Sequence, residues 1–161
     1  MLALLSANAA KPNFVVIMAD DMGYNATSAY GGWLKTPHLD RMAREGMRFT
    51  DYHSSGVVCS PTRAGLLTGR YQERAGVPSV INADPKVPDH HRGLWVSEHT
   101  FPELLAKAGY TSAIYGKWHL GYKKSSTRCT TASRRFAGLS AATSTTCRTT
   151  IGWRCTTGGT A

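Results

Sequence analysis

The amino-acid sequence predicts an α/β fold for residues 11–124, with strands and helices joined by short connections. The first observation is a continuous apolar run at 14–19, which is typical of a strand buried on both faces of a parallel sheet. The second is a series of helix-capping signals, and the third is another β-rich run at 110–115. A chain of 161 residues has room for one such domain with a hydrophobic core.

Three helices are predicted from capping residues at their start and a glycine at their end, over 36–46, 62–69 and 100–109. Pro37 follows Thr36 as an N1 proline follows an N-cap. Thr100 and Glu103 have the spacing of a capping box. A further short strand is predicted over 47–52, after the first helix.

Residues 125–161 do not continue this pattern. They are rich in Thr, Ser, Ala, Arg and Gly, contain no Asp, Glu, Lys or His, and show neither helical nor strand periodicity. Three interpretations remain open: a disordered basic tail, a disulfide-rich module, or translation in the wrong reading frame. Because disordered tails normally avoid Cys and Trp, we favour the frameshift and expect this segment to be unrelated to the preceding domain.

The formal net charge of +9 would ordinarily suggest a nucleic-acid or membrane-surface partner. Residues 1–124 hold 14 Lys and Arg against all 10 Asp and Glu, whereas residues 125–161 hold 5 Arg and no acid. The domain itself is therefore only mildly basic, and it contains no nucleic-acid recognition motif. A basic nucleic-acid-binding protein is the weaker alternative, and we expect no nucleic acid as partner.

The N-terminal segment 1–10 is short, apolar and ends in small residues, with Ala7-Asn8-Ala9 matching the small-x-small pattern of a signal cleavage site. It lacks a positively charged beginning, so it is either the remnant of an export signal or an ordinary disordered terminus. We expect an exported protein, periplasmic, extracellular or lysosome-like. No stretch reaches the roughly 20 apolar residues that span a bilayer, so no membrane span is expected.

Asp20 and Asp21 follow the first predicted strand directly, at the carboxyl edge where ligands bind in α/β sheets. Two adjacent carboxylates repel each other unless a cation neutralises them, and hard cations such as Ca²⁺ or Mg²⁺ take oxygen ligands. The pair therefore indicates a candidate metal site. The alternative, judged from this pair alone, is a surface turn with a helix cap, because Asp is common in turns.

Cys59 is the one cysteine of the patterned region and begins the sequence Cys-Ser-Pro-Thr-Arg-Ala-Gly-Leu-Leu-Thr-Gly-Arg at 59–70. Because Pro61 can start a helix, we expect Cys59 just ahead of a helix N-terminus and Arg63 on its first turn. The helix dipole and the guanidinium then create a positive field at the sulfur, which favours an anion there. The alternative is a buried structural cysteine beside a capped helix.

Cys-x-Pro-x-Arg followed by Ala-Gly-Leu-Leu-Thr-Gly-Arg resembles the signature that directs oxidation of cysteine to formylglycine in type I sulfatases, the arylsulfatase family of the alkaline phosphatase-like superfamily. Three further blocks, at 11–23, 36–40 and 116–121, resemble the same family in the same order. The resemblance covers nearly all of residues 11–124 and none of the tail. It implies an alkaline phosphatase-like sandwich with a mostly parallel central sheet, truncated in this chain.

The resemblance also implies cofactors. Cys59 would be converted to formylglycine by a maturation enzyme, and the aldehyde hydrate would supply the attacking oxygen. Asp20 and Asp21 would ligate a divalent cation, Ca²⁺ or Mg²⁺, with the converted Cys59 as a further ligand.

Arg63, Lys117 and His119 are the remaining residues that the resemblance marks as catalytic. They would contact the hydrate and the sulfate, neutralise charge and move a proton. The implied activity is hydrolysis of a sulfate monoester in a sulfated small molecule or carbohydrate; a phosphate or phosphonate monoester hydrolase of the same superfamily is the alternative. The family's second pair of metal ligands and a further catalytic His and Lys have no counterpart here, so we expect the chain as given to be incomplete and inactive.

Overall fold

The computed structural model describes residues 11–122 and two backbone strands further on, at 133–137 and 156–157. The described helices are α1 (Pro37–Glu45), α2 (Cys59–Thr68) and α3 (Phe101–Lys107), with short 3-10 helices at Ser28–Tyr30, Gln72–Ala75 and Pro88–His91. The described strands are β1 (Tyr110–Tyr115), β2 (Ser133–Ala137) and β3 (Thr156–Thr157). The predicted signal remnant at 1–10 and most of the predicted tail at 125–161 lie outside the described residues.

The three strands form one sheet in the order β2-β1-β3. Strand β1 pairs in parallel with β2, Ile114 lying opposite Phe136, and antiparallel with β3, Tyr110 lying opposite Thr157. The prediction of a strand at 110–115 is confirmed. Strands β2 and β3 lie beyond residue 124, where the sequence shows no strand periodicity, because backbone hydrogen bonds to β1 define these strands whatever their side-chain pattern.

The apolar run at 14–19 forms no strand ladder within the described residues; only Met18 makes a single bridge. Its side chains alternate, with Val16 and Met18 partly buried against the core and Val15 and Ile17 exposed. The prediction of a strand buried on both faces is therefore wrong here. An apolar sequence becomes a strand only when a neighbouring strand accepts its backbone hydrogen bonds. The same reason applies to 47–52, which is exposed and irregular.

The helix predictions depend on local capping residues, and they agree with the structure better than the strand predictions at 14–19 and 47–52. Helix α1 ends at Gly46, and α3 begins with the predicted capping box, in which the Thr100 N–H donates to a carboxylate oxygen of Glu103 at 2.7 Å. Helix α2 begins three residues earlier than predicted, with Val58 as N-cap. Proline is tolerated in the first turn of a helix, so Pro61 lies inside that turn and does not begin it. Cys59 is consequently the first helical residue, and Arg63 lies beyond the first turn.

The hydrophobic core joins α2 to the segment that follows β1. Its buried members are Ala64, Leu67, Ala75, Val77, Ile81, Leu94, Ile114, Trp118 and Leu120. Full burial of a Val, Leu or Ile side chain contributes about 1.5–3 kcal/mol. The core therefore fixes α2 and residues 116–121 against each other, whereas α1 has no buried residue.

Candidate active site

Cys59 lies in the first turn of α2, free of any disulfide and half-buried. The preceding loop is fastened to the helix, because the Thr62 hydroxyl donates to the carbonyl of Gly56 at 2.7 Å. A side chain on Gly56 would collide with Pro61, so the loop can approach the helix closely only with glycine at this position. The first backbone N–H groups of a helix have no partner within the helix and carry partial positive charge. The sulfur therefore lies in an environment that favours negative charge.

Arg63 connects three segments from inside the protein. Its side chain is only 2% exposed. One terminal nitrogen donates to the backbone carbonyl of Lys117 at 2.6 Å, and the other donates to Asp20 Oδ1 at 3.3 Å. Its Nε is buried and has no hydrogen-bond partner among the described residues. A buried guanidinium needs charged or polar partners, and Asp20 and the Lys117 carbonyl supply them here.

Lys117 lies between an acid and the sulfur. Its Nζ donates to Asp20 Oδ2 at 3.0 Å and to Cys59 Sγ at 3.3 Å. Burial lowers the pKa of Lys117, but the hydrogen bonds and charges of Asp20 and Cys59 outweigh burial and hold the pKa above its ordinary value. Burial likewise raises the pKa of Asp20, and the contacts from Lys117 and Arg63 outweigh it, so the net shift is downward. The two cations, Arg63 and Lys117, thus share the one carboxylate of Asp20.

Asp21 differs from its neighbour. It is exposed, and its backbone has a φ of +53°, a left-handed conformation that Asp adopts more readily than most residues. The carboxylates of Asp20 and Asp21 and the sulfur of Cys59 each offer one ligand atom, and these atoms lie within 4.8 Å of one another. Two carboxylates at this spacing suit a hard divalent cation. The residues that the sequence marks as metal ligands are thus brought together.

His119 is held by its own backbone and by one hydrogen bond. Its φ is +56°, and its neighbours Trp118 and Leu120 are both buried in the core. Its Nε2 contacts the carbonyl oxygen of Ile81 at 2.8 Å, while its Nδ1 is buried and has no partner among the described residues. Burial lowers the pKa of His119 below its ordinary value, helped by the charges of Lys117 and Arg63 and opposed by the Ile81 contact. The imidazole is therefore biased towards its neutral, basic form.

The Sulfatase family model matches residues 12–156. The chain belongs to the sulfatase family. This confirms the resemblance that residues 59–70 carry, and the match extends beyond residue 124, where the sequence pattern predicts that the homologous region ends. That boundary remains a prediction.

Two sulfatase relatives illustrate the similarity. Rat N-acetylgalactosamine-6-sulfatase is 48% identical over 76% of this chain and 24% of its own length. Human arylsulfatase G is 48% identical over 70% of this chain and 21% of its own length. The chain thus spans roughly a quarter of the length of the curated relatives that it matches.

A solved structure supports the fold class. The crystal structure of Ps i-CgsB superposes with a TM-score of 0.68 at 28% identity, over 76% of this chain and 27% of that chain. The same protein was also solved in complex with k-i-k-neocarrahexaose. An alkaline phosphatase-like α/β fold is the architecture that these neighbours imply, although the sheet of the described residues is mixed and has three strands.

Two features of this sulfatase segment were not predicted from the sequence. Ser60, which is completely buried, accepts the backbone N–H of Ile81 at 3.1 Å. The carboxylate of Glu98, which is only 6% exposed, accepts a hydrogen bond from Arg70 of the signature at 2.8 Å. In the sequence, Glu98 is only a lone acid shortly before α3, and Ser60 is only a member of the signature. Neither position reveals that its contact lies far away in the sequence.

A groove of about 920 Å³ also borders α2, lined in part by Thr62, Leu66 and Arg70. Neither Cys59 nor Lys117 nor either aspartate belongs to its lining. The charged cluster, and not this groove, is therefore the candidate active site.

Proposed function

We propose that the protein is a sulfuric ester hydrolase that cleaves a sulfate monoester with a formylglycine made from Cys59 and a divalent cation. The observation that supports this most strongly is the position of the Cys59 sulfur. It lies 3.3 Å from Lys117 Nζ and within 4.8 Å of a ligand oxygen on each of two aspartates. A structural cysteine has no need of such charged neighbours.

The donor chemistry supports conversion of Cys59. Its Sγ stands where the oxygens of the formylglycine hydrate would be, because both are attached to Cβ. Sulfur is a soft ligand, whereas Ca²⁺ and Mg²⁺ take hard oxygen ligands. Replacing the sulfur by oxygen therefore makes the third donor consistent with the two carboxylates of Asp20 and Asp21.

The formylglycine hydrate supplies the attacking oxygen and a second hydroxyl through which sulfate can be released, and the cation supplies positive charge at the sulfate oxygens. Asp20 and Asp21 would hold that cation. Lys117 adds a mobile positive charge next to the reacting group, and Arg63 adds a buried one that the rigid helix keeps in place. Charge fixed in advance at developing negative oxygens lowers the barrier without reorganisation.

His119 would serve as the base. Its pKa is lowered chiefly by burial, so the ring is neutral near pH 7 and can accept a proton when sulfate leaves. Its left-handed backbone conformation holds the ring between two buried anchors, which limits its movement.

The substrate class that we propose is a sulfated carbohydrate or small molecule. Support comes from the name of the 48% identical relative, N-acetylgalactosamine-6-sulfatase, and from the carbohydrate bound to the structural neighbour. We also propose a formylglycine-generating maturation enzyme as partner, and export from the cytoplasm. The described residues contain no helix long and apolar enough to cross a bilayer.

Modification of Cys59 tests the proposal on this chain directly. Coexpressed with a maturation enzyme, the chain should yield a peptide spanning 49–63 in which mass spectrometry finds an aldehyde in place of the thiol. Pro61→Ala is the matched control, because it alters the signature and leaves the cysteine in place. A peptide that keeps its thiol, in a host that matures other sulfatases, would contradict the proposal.

Activity is tested in a chimera, in which residues 11–122 replace the matching segment of rat N-acetylgalactosamine-6-sulfatase. We expect turnover of a generic aryl sulfate that depends on formylglycine content. Turnover of an aryl phosphate or phosphonate with no turnover of the sulfate would favour the other hydrolase class. An inactive chimera that is folded and carries formylglycine would contradict the assignment.

A further inference from the structure

Ser60, Ile81 and His119 form a continuous chain of contacts that the catalytic roles above do not use. The Ile81 N–H donates to the Ser60 hydroxyl oxygen at 3.1 Å, and the carbonyl of the same residue contacts Nε2 of His119 at 2.8 Å. Ser60 and Ile81 are buried, with 0% and 1% of their surfaces exposed. The two contacts therefore lie where water competes little for them.

The carbonyl contact fixes the tautomer of the imidazole. A carbonyl oxygen can only accept a hydrogen bond, so the proton of neutral His119 must lie on Nε2. Nδ1 is then the atom with a free lone pair. Nδ1 is also the ring nitrogen that is buried without a hydrogen-bond partner among the described residues. A buried acceptor without a partner is costly to the folded state, so its presence calls for an explanation.

We infer that Ser60 is a positioning residue, which holds the Ile81 peptide so that His119 keeps its proton on Nε2 and presents Nδ1 as the proton acceptor. The inference rests on the proposed function for the identity of the proton donor. On release of sulfate, the O–H bond of the remaining hydroxyl would break and Nδ1 would take the proton. The sulfate would depart with the electron pair of its C–O bond, the hydroxyl oxygen would form the C=O bond, and the aldehyde would be restored. No oxidant or other reactant enters this balance.

The location of Ser60 explains why it can act in this way. It follows Cys59 in the first turn of α2, so the helix that places the nucleophile also places the hydroxyl. Ile81 comes from the segment between Gln72–Ala75 and Pro88–His91, and His119 comes from the loop after β1. Ser60 thus links helix α2 to the segment of Ile81, and Ile81 in turn contacts His119.

The test is a ¹⁵N NMR measurement of the imidazole of His119 in the unmodified 161-residue chain, at a pH where the ring is neutral. We expect an N–H signal on Nε2 that exchanges slowly with water, and an Nδ1 shift typical of a nitrogen without a proton. His119→Gln identifies the signal among the six histidines. A proton on Nδ1 in the parent chain would overturn the inference.

Three variants decide whether Ser60 is responsible. In Ser60→Ala the Nε2–H proton should exchange with water about tenfold faster or more, so that its signal is lost, because the Ile81 peptide loses its anchor. Ser60→Thr keeps the hydroxyl and should retain the signal. Ser79→Ala, a matched change two residues from Ile81, removes a hydroxyl that contacts Arg92 and should leave His119 unchanged.

An unchanged Nε2–H signal in a folded Ser60→Ala variant would overturn the positioning role. If Ser60→Ala does not fold, the comparison of Ser60→Thr with the parent decides, and loss of the signal there despite the hydroxyl would count against the inference. None of these readouts depends on sulfatase activity. A correct tautomer in the chain, together with a folded, formylglycine-bearing chimera that cleaves no sulfate ester, would contradict the proposed function while leaving the positioning role intact.

Discussion

The acidic segment (residues 14–21) and the cationic frame (α2 together with residues 116–121) contribute opposite charges to the site and are held in different ways. Helix α2 buries six residues, and the loop of the frame is anchored by Trp118 and Leu120. The acidic segment touches the core through Val16 and Met18 only, and it forms no strand ladder within the described residues. The cations are therefore positioned by packing.

Of the two acids, only Asp20 depends on the cations for its position. Asp20 is fixed by Arg63 at 3.3 Å and by Lys117 at 3.0 Å, whereas Asp21 is exposed and makes no hydrogen bond or ion pair with either. Asp20 therefore depends on the frame for its position, and the buried Arg63 in turn depends on Asp20 as a charge partner, whereas Asp21 supports neither. Substitutions in the frame should therefore lower the free energy of unfolding the most. Substitution of Asp21 should affect metal binding alone, and excess metal should restore it.

The largest effect is expected for Arg63→Ala. This substitution removes a buried charge that binds Asp20 and the Lys117 carbonyl, and it leaves a cavity beside α2. Breaking a buried ion pair by removing one partner typically costs about 3–5 kcal/mol. Urea denaturation of the 161-residue chain, followed by circular dichroism, measures the loss in the free energy of unfolding.

Arg41→Ala is the matched control. Arg41 forms an exposed i,i+4 pair with Glu45 at 3.9 Å, and such pairs contribute about 0.3–0.5 kcal/mol. Equal losses for the two arginine variants would break the distinction between a packed frame and an ordinary charged surface.

Lys117→Ala is expected to affect turnover more than stability. The side chain is partly exposed, so its loss leaves the core intact, but the sulfate oxygens lose a positive charge. Removing such a donor typically costs on the order of 10²–10³ in rate. Aryl sulfate hydrolysis by the chimera measures the loss, and added Ca²⁺ should not restore it. Lys107→Ala, at the exposed end of α3, is the control. Recovery with Ca²⁺ would mean that Lys117 acts only through the metal ligands.

The parts of this structure that the sequence predicts correctly are those with local signals. Thr100 and Glu103 cap α3 through contacts three residues apart, and β1 has its predicted bounds. The run at 14–19 has the apolar composition of a strand, but strand formation depends on partners elsewhere in the chain. The strands β2 and β3 were missed for the converse reason, since their pairing with β1 is not visible in their own residues.

The candidate site divides in the same way. The resemblance marks Cys59 and Arg63 in the block at 59–70 and Lys117 in the block at 116–121, and the structure brings all three together with Asp20. The catalytic roles of these residues remain predictions. Ser60 could not be assigned a contact from sequence, because its hydrogen bond to Ile81 crosses 21 residues and involves a backbone group, which carries no residue-specific signal.

Asp21→Ala should weaken metal binding without disturbing the frame. Losing one anionic ligand should lower Ca²⁺ affinity by about tenfold or more, because affinity follows the number of charged ligands. Excess Ca²⁺ should then restore much of the turnover by mass action. Isothermal titration of the chain and Ca²⁺ titration of chimera activity measure both effects. Asp51→Ala, an exposed acid paired with His53, is the control. Unchanged Ca²⁺ affinity in Asp21→Ala would favour a plain turn at this position.

The smallest effect is expected in the pH dependence of stability, through His119. Burial lowers the pKa of this imidazole from its ordinary value of 6.5, so the unfolded chain binds the proton more readily than the folded one. The contribution to stability is therefore complete above about pH 6.5 and declines as the pH falls from there towards the folded-state pKa. His119→Gln keeps a donor for the Ile81 carbonyl but does not titrate, so its free energy of unfolding should fall less than that of the parent over this range. Urea midpoints at several pH values measure the difference, with the exposed His53→Gln as control. Parallel curves for the parent and His119→Gln would show that the cationic frame does not desolvate the ring, and would weaken the case for His119 as a neutral base.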